Sequence, residues 1–480
     1  MNPGGSNHVD RRKWKVRDLR APATAREIPV ALLTGGGDRP YAFGLAMALM
    51  SKGASLDLVA SDELDGPEFH SKPNVNFLNL RGGKRSDVSF ARKVFRVSAY
   101  YAKLILYAAT ARPKIFHLLW NNKFEILDRT LLMLYYRFLG KKIVLTVHNV
   151  NAGRRDSKDT SLNRVTLRIQ YQLADHIFVH TEQMRLELIE EFGVQPGLVT
   201  VIPFGINNAV PNTCLTPRDA KRKLGISEGE KTILFFGNIA PYKGLEYLVA
   251  AFKRVLGRCD NYRLIIAGRP KDCERYWTAI RDDIRGEVQC GRILLRADFI
   301  PDDETEVYFK AADVAVLPYR HIYQSGVLFL AHSFGLPVIA ADVGSLKDEI
   351  VEGMTGFVFT PEDPVDLANA IERCFASDLY TDLNNRRHEI RDYAAERHSW
   401  DSVGAVTREV YGRLLGRMDH ATSGIDSHWR TTRRNGPLIH CDQRSPKSEA
   451  KGITQRGPCS DSAHSTPEHT NVYAKLEEKE

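Results

Sequence analysis

The sequence has no apolar run long enough to cross a bilayer, which takes about 18 residues or more. Its best candidates, near 99–111 and 131–139, are interrupted by Lys103 and Arg137. Residues 1–20 are charged and have no apolar core, so a cytoplasmic address is expected rather than a secretory signal. The seven cysteines, Cys214, Cys259, Cys273, Cys290, Cys374, Cys441 and Cys459, include no C-x-x-C pair and no tight cluster with histidine. That spacing argues against a disulfide framework and against a metal site, and free thiols are expected. The turn Gly35-Gly-Gly-Asp-Arg-Pro40 lacks the G-x-G-x-x-G spacing of nicotinamide dehydrogenases.

The 480 residues, 43% hydrophobic and 26% charged, have an ordinary globular composition but are too many for one core. A basic arm is expected over 1–27, an N-terminal domain over 28–215, a second domain over 216–400, a helix over 401–418 and a disordered tail over 419–480. The tail holds nine basic and nine acidic residues and only 14 hydrophobic ones, too few to offset its ordering entropy. Short apolar runs at 28–33, 56–60, 75–80, 114–119, 142–147 and 176–180 alternate with helical stretches. The pattern restarts at 231–236, 263–267, 314–317 and 337–340. Alternation of this kind predicts α/β domains with parallel sheets covered on both faces.

The net charge of +8 is local: residues 84–142 carry 13 Lys and Arg against Asp87, Glu125 and Asp128. Helical spacing there turns Val94, Tyr101, Ile105 and Ala108 toward a core, with Arg92, Arg96, Lys103, Tyr100 and Tyr107 opposite and Lys93 beside them. The stretch from Lys84 to Lys142 reads either as a solvated basic face or as a surface for anionic lipid headgroups or a lipid-diphosphate acceptor. No nucleic-acid motif accompanies the charge, so nucleic acid is not an expected partner.

Two segments carry chemistry. Phe235-Phe-Gly-Asn-Ile-Ala-Pro-Tyr-Lys-Gly244 ends a strand and leads into a helix, placing Lys243 and free amides where a diphosphate is favoured. Gln324-Ser-Gly-Val327 opens another helix after Leu317-Pro-Tyr, and Gly326 permits close approach of a ligand. Two anion-ready helix starts at strand ends argue for a sugar nucleotide.

These segments resemble the family 4 retaining glycosyltransferases. The resemblance also rests on Ile265-Ile-Ala-Gly-Arg269, Ala311-Ala-Asp-Val-Ala-Val-Leu-Pro-Tyr319, Gly335-Leu-Pro-Val-Ile-Ala-Ala-Asp-Val-Gly344, Leu145-Thr-Val-His-Asn149 and Val201-Ile-Pro-Phe-Gly-Ile-Asn207, and covers roughly residues 28–415. It implies the GT-B fold, two Rossmann-like doubly wound domains facing across a cleft. It further implies a metal-independent hexosyltransferase with no cofactor, since the nucleotide-sugar is a substrate, and a lipid-linked or polysaccharide acceptor. Such an enzyme would sit in the cytoplasm, peripherally on the inner face of the cell membrane.

His148 and Lys243 are the implied catalytic residues. The implied donor site comprises Gly36, Gly37, Gly237, Asn238, Lys243, Phe299, Gln324, Ser325, Gly326 and Val327. The sequence departs from the family pattern at Asn238, where arginine is common. It departs again at Leu330 and near His321 and Ile322, where two glutamates eight positions apart are usual. Those departures leave open a second reading, a non-catalytic binding or assembly subunit.

Overall fold

The computed structural model describes residues 27–35, 39–83, 90–122, 124–155, 158–206, 210–271 and 273–416. The expected tail lies outside the described residues, as does the expected basic arm up to residue 26.

Two parallel sheets form the framework. In the N-terminal lobe β1 (Ile28–Leu33), β2 (Ala54–Ala60), β3 (Val75–Asn79), β4 (Ile115–Leu118), β5 (Lys142–Thr146), β6 (His176–Val179) and β7 (Val199–Val201) run in the order β3-β2-β1-β4-β5-β6-β7. In the C-terminal lobe β8 (Lys231–Phe236), β9 (Tyr262–Ala267), β10 (Ile293–Arg296), β11 (Val314–Leu317), β12 (Val338–Ala341) and β13 (Gly356–Phe359) run in the order β10-β9-β8-β11-β12-β13. Strand order reverses between β1 and β4 and again between β8 and β11, so each sheet is doubly wound with a switch point there. The central strands β4, β6, β11 and β12 are buried at every position, as expected where helices cover both faces. β7, β10 and β13 are edge strands of three or four residues with no counterpart among the sequence-predicted strands.

The helices that bear on the cleft are α1 (Arg39–Ser51), α2 (Phe90–Thr110), α3 (Ser161–Leu173), α4 (Leu245–Leu256), α5 (Gly326–Ser333) and α6 (Trp400–Leu414). On α2 the buried face differs from the sequence-predicted one. Tyr101 and Ala108 are buried as expected, but Tyr100 and Leu104 complete the stripe, while Val94 and Ile105 are 49% and 45% exposed. The i, i+3, i+4, i+7 stripe therefore runs through 97, 100, 101, 104 and 108, turned from the expected phase. Tyr107 is half-buried and donates through its hydroxyl to Asp57 at 2.8 Å, so it is not on the solvated side either.

The chain returns to the N-terminal lobe through α6, which packs on α1. The Trp400 ring lies where side chains at Gly44 and Gly205 would be: a Cβ would come within 2.1 Å and 2.3 Å of it. Trp400 Nε1 donates to the Ile206 carbonyl at 2.7 Å, and the Ile206 amide donates to the His398 carbonyl at 3.1 Å. Further along α6, the Tyr411 hydroxyl meets His117 Nδ1 at 2.6 Å beneath β4. Overpacking a tight contact of this kind costs about 1–3 kcal/mol. Gly44→Ala is expected to lose about that much in urea denaturation, whereas Gly229→Ala, with open space around it, should change stability by less than about 0.5 kcal/mol.

Candidate active site

The C-terminal side of the cleft is built at the β8/β11 switch point. β8 ends in Gly237, held at φ 98° with its amide donating to the Ala267 carbonyl. The turn Pro241–Lys243 follows and closes at Gly244, whose φ of 62° and whose approach to Pro318 O, 2.0 Å from a Cβ, admit no other residue without strain. Arg320 N–H donates to Tyr242 O at 2.9 Å, so this loop and the one after β11 are zipped together. Lys243 is buried, its Nζ 5.1 Å from the centroid of the Tyr319 ring. A Cβ on Gly237 would lie 3.1 Å from Lys243 Nζ and 3.5 Å from Val327 Cγ2. Lys243, Gly237 and the first turn of α5 thus share one spot.

The two helix starts differ in what they leave open. At α4 the Leu245 amide donates to the Tyr276 hydroxyl at 3.1 Å, and that hydroxyl bonds in turn to Glu246. The first amide of α4 is therefore taken, which corrects the expectation that this helix start offers free amides to an anion. At α5 the N-cap Ser325 makes no side-chain cap, its hydroxyl lying 3.4 Å from the Tyr319 hydroxyl. Among the described residues the amides of Gly326 and Val327 meet no acceptor, so α5 presents the open helix dipole. Gln324, just before it, carries a buried Oε1 with no partner among the described residues.

Across the cleft, His148 follows β5 and is stacked on Trp120, centroids 4.3 Å apart and planes within 5°. Tyr41 meets it edge-on at 4.5 Å. Burial, reinforced by His180 and His117, holds its pKa well below the ordinary value, so the ring is neutral. His180 is lowered to about 4, again by burial. The hydrogen bonds fix both tautomers. His180 Nδ1 faces the Ile202 carbonyl at 3.3 Å, so it carries the proton. His180 Nε2 then accepts from His148 Nδ1–H at 3.2 Å, which leaves His148 Nε2 as a bare acceptor. That atom is buried and has no partner among the described residues. It suits the hydroxyl of a sugar.

Phe204 joins the two sides: its ring centroid is 6.2 Å from His148 and 5.4 Å from Phe329 of α5, and a Cβ on Gly326 would lie 3.9 Å from it. Phe299 is 63% exposed with the Arg269 guanidinium 5.7 Å from its ring centroid. Asn238 is exposed. Gly36 and Gly37 lie outside the described residues. Leu330 is packed into the C-terminal core and His321 is exposed. His180, Trp120, Phe204 and Tyr319 were not among the site residues expected from the sequence. A histidine directly after β6, just as His148 follows β5, was the available signal for the first of them.

Two doubly wound sheets, with a lysine and open helix amides at one switch point and a neutral histidine opposite, define a GT-B transferase fold. Residues 35–210 match the family described as Glycosyltransferase Family 4, and residues 230–377 match Glycosyl transferases group 1. The chain belongs to this family of glycosyltransferases. D-inositol 3-phosphate glycosyltransferase of Corynebacterium glutamicum (strain R) is 24% identical over 397 residues, covering 79% of this chain and 92% of that protein. Sucrose-phosphate synthase of Thermosynechococcus elongatus superposes with a TM-score of 0.65 at 20% identity, covering 82% of this chain and all of that one. HepE of Anabaena, in complex with UDP and glucose, superposes with a TM-score of 0.61 at 18% identity, covering 80% and 99%.

The neutral histidines make stability depend on pH. His117 is lowered to about 3, and His176 and His332 to about 4, by burial in each case. As pH falls below the unfolded value of 6.5, the unfolded chain takes up protons that the folded chain refuses. Stability is therefore full above about pH 6.5 and is lost toward pH 4, at about 1.4 kcal/mol per pH unit for each ring. Urea titrations between pH 7 and 5 should show this decline, and His117→Gln should reduce its slope by about one ring's share.

Proposed function

We propose that the protein moves a hexose from a nucleoside diphosphate sugar to a lipid-linked or polysaccharide acceptor, retaining anomeric configuration and without a metal. The observation that carries this reading is the meeting of Lys243, Gly237 and the open amides of α5 at one strand end. Negative charge grows on the diphosphate as the glycosidic bond breaks, and a buried ammonium with preset amides stabilises it without reorganising. HepE holds UDP and glucose, which supports a uridine diphosphate sugar as the first donor to try.

Retention follows from a front-face substitution, in which the departing phosphate oxygen takes the proton of the incoming hydroxyl. That course asks the protein for leaving-group stabilisation and positioning, and for no nucleophile. It accommodates Leu330 and His321 where the family usually carries carboxylates. His148 Nε2 accepts a hydrogen bond from a sugar hydroxyl and so orients the ring.

The acceptor reading draws on the surface of the N-terminal lobe. No described helix is long and apolar enough to cross a membrane. Yet Phe95, Leu106, Leu131 and Phe138 are exposed by 76%, 67%, 64% and 86%. The helical turns over 125–138 adjoin α2, where the Tyr135 hydroxyl donates to Ile105 O at 3.2 Å, and Leu162 and Val165 on α3 are exposed as well. Exposed Arg92, Lys103 and Arg137 lie among them. Apolar side chains that insert, ringed by cations worth about 1 kcal/mol each near anionic lipid, fit peripheral binding to the inner face of a cell membrane.

The test is release of nucleotide from a panel of sugar nucleotides, with and without vesicles containing phosphatidylglycerol and extracted membrane lipid. Release from one donor that requires lipid is expected. Lys243→Ala should weaken nucleotide binding by about tenfold to a hundredfold, the usual range for a bond to a charged group. Nucleotide bound with no release from any donor would favour a non-catalytic relative instead.

A further inference from the structure

A second cationic site lies on the N-terminal lobe, away from Lys243. A cavity of about 250 Å³ opens between the loop after β3 and α2, lined by Arg81, Lys93, Arg96, Val97, Tyr100 and Asn122 among others. Among the described residues its lining has three cations and no carboxylate. Lys93, Arg96, Val97 and Tyr100 are spaced i, i+3, i+4, i+7, so a single face of α2 forms one wall.

The wall is held in shape from behind. The Arg81 guanidinium lies 5.4 Å from the centroid of the Tyr100 ring and donates to the Gly35 carbonyl. Arg96 donates to Gly83 O at 2.9 Å. The Tyr100 hydroxyl bonds to Asn122 Oδ1, whose amide group donates to buried Asp128 at 3.1 Å. Burial pushes the Tyr100 phenol up to about 12, so it stays a neutral hydroxyl. Each guanidinium makes a bond to a backbone carbonyl that spends no positive charge on an acid, and each keeps donors to spare.

The cavity is also connected to the reaction centre. Gly35, the partner of Arg81, follows β1 and lies against the Trp120 carbonyl, 2.1 Å from where its Cβ would stand. Trp120 is the ring on which His148 stacks. Apolar side chains adjoin the lining residues: Phe124, 51% exposed, stacks on Tyr101 at 5.6 Å, and exposed Val94 and Phe95 lie on the same turn of α2 as Lys93.

We propose that this cavity holds the phosphoryl group of the acceptor, with Arg81, Lys93 and Arg96 as its cationic partners. The proposal rests on the reading of the N-terminal lobe as the acceptor side, and it adds that the acceptor is phosphorylated. Guanidinium groups match phosphate oxygens in pairs, and an ammonium adds a point charge. The phosphoryl group could belong to a lipid phosphate, whose chain would leave over Phe124, or to a soluble sugar phosphate.

Calorimetric titration of the full chain with inorganic phosphate, farnesyl phosphate and UDP tests it. Lys93→Gln/Arg96→Gln is expected to weaken inorganic phosphate binding at least tenfold and to leave UDP binding unchanged. Lys243→Ala should do the reverse, and Lys93→Arg/Arg96→Lys, which keeps both charges and guards against misfolding, should retain phosphate binding. Farnesyl phosphate binding more tightly than inorganic phosphate identifies a lipid source, and equal affinity identifies a soluble one. Phosphate affinity that is indifferent to the Lys93/Arg96 pair, or that falls with Lys243→Ala alone, overturns the site while leaving the donor reading intact. UDP that fails to bind the unaltered protein, with phosphate binding still dependent on Lys93 and Arg96, removes the donor reading and keeps this one.

Discussion

Trp400 sits at the point where the chain crosses for the second time between its two sheets, and its contacts hold the crossings side by side. The first crossing, through Phe204 and Ile206, bonds to the second at Ile206 N–H to His398 O and at Trp400 Nε1–H to Ile206 O. His398 adds a contact to each side, Nδ1 to Phe204 O at 3.1 Å and Nε2 to buried Glu349 at 3.0 Å. Phe204 is therefore fixed from behind while its ring touches both His148 and α5. The spacing between His148 and the start of α5 depends on this clasp. Two glycines with no room for a Cβ allow it.

Around that constraint the cleft divides its electrostatics. At the histidine pair the N-terminal wall is neutral: burial strips His148 and His180 of charge, and the carbonyl of Ile202 sets the proton on each ring. The C-terminal wall is positive, through Lys243 and the α5 amides that meet no acceptor among the described residues. A neutral acceptor atom opposite a cation is the arrangement a sugar diphosphate asks for, hydroxyls toward one wall and phosphates toward the other. The Arg81 cavity places positive charge on the N-terminal lobe, one ring removed from His148.

Much of this was legible because it is local. Interior strands announce themselves as continuous apolar runs, and Gly237, Lys243 and Gly326 stand at strand ends or helix starts that spacing alone locates. The edge strands β7, β10 and β13 were not legible, since three or four residues paired on one side leave little pattern. The phase of α2 was misjudged because apolar residues lie on both its faces: Val94 and Ile105 are as apolar as Leu104 but face outward. Contacts distant in sequence were the other blind spot. The occupation of the Leu245 amide comes from Tyr276, 31 residues on, and the tautomer of His148 from His180, 32 residues on. Tyr276 carries no local signal, and the place of His180 after β6 does not show its bond to His148.

The most direct test of the account is a crystal structure with UDP bound. The account expects the diphosphate within hydrogen-bond distance of Lys243 Nζ and the Val327 amide, with the space for the sugar open toward His148 Nε2. A diphosphate bound against the start of α4, or held in the Arg81 cavity with Lys243 left untouched, would contradict it.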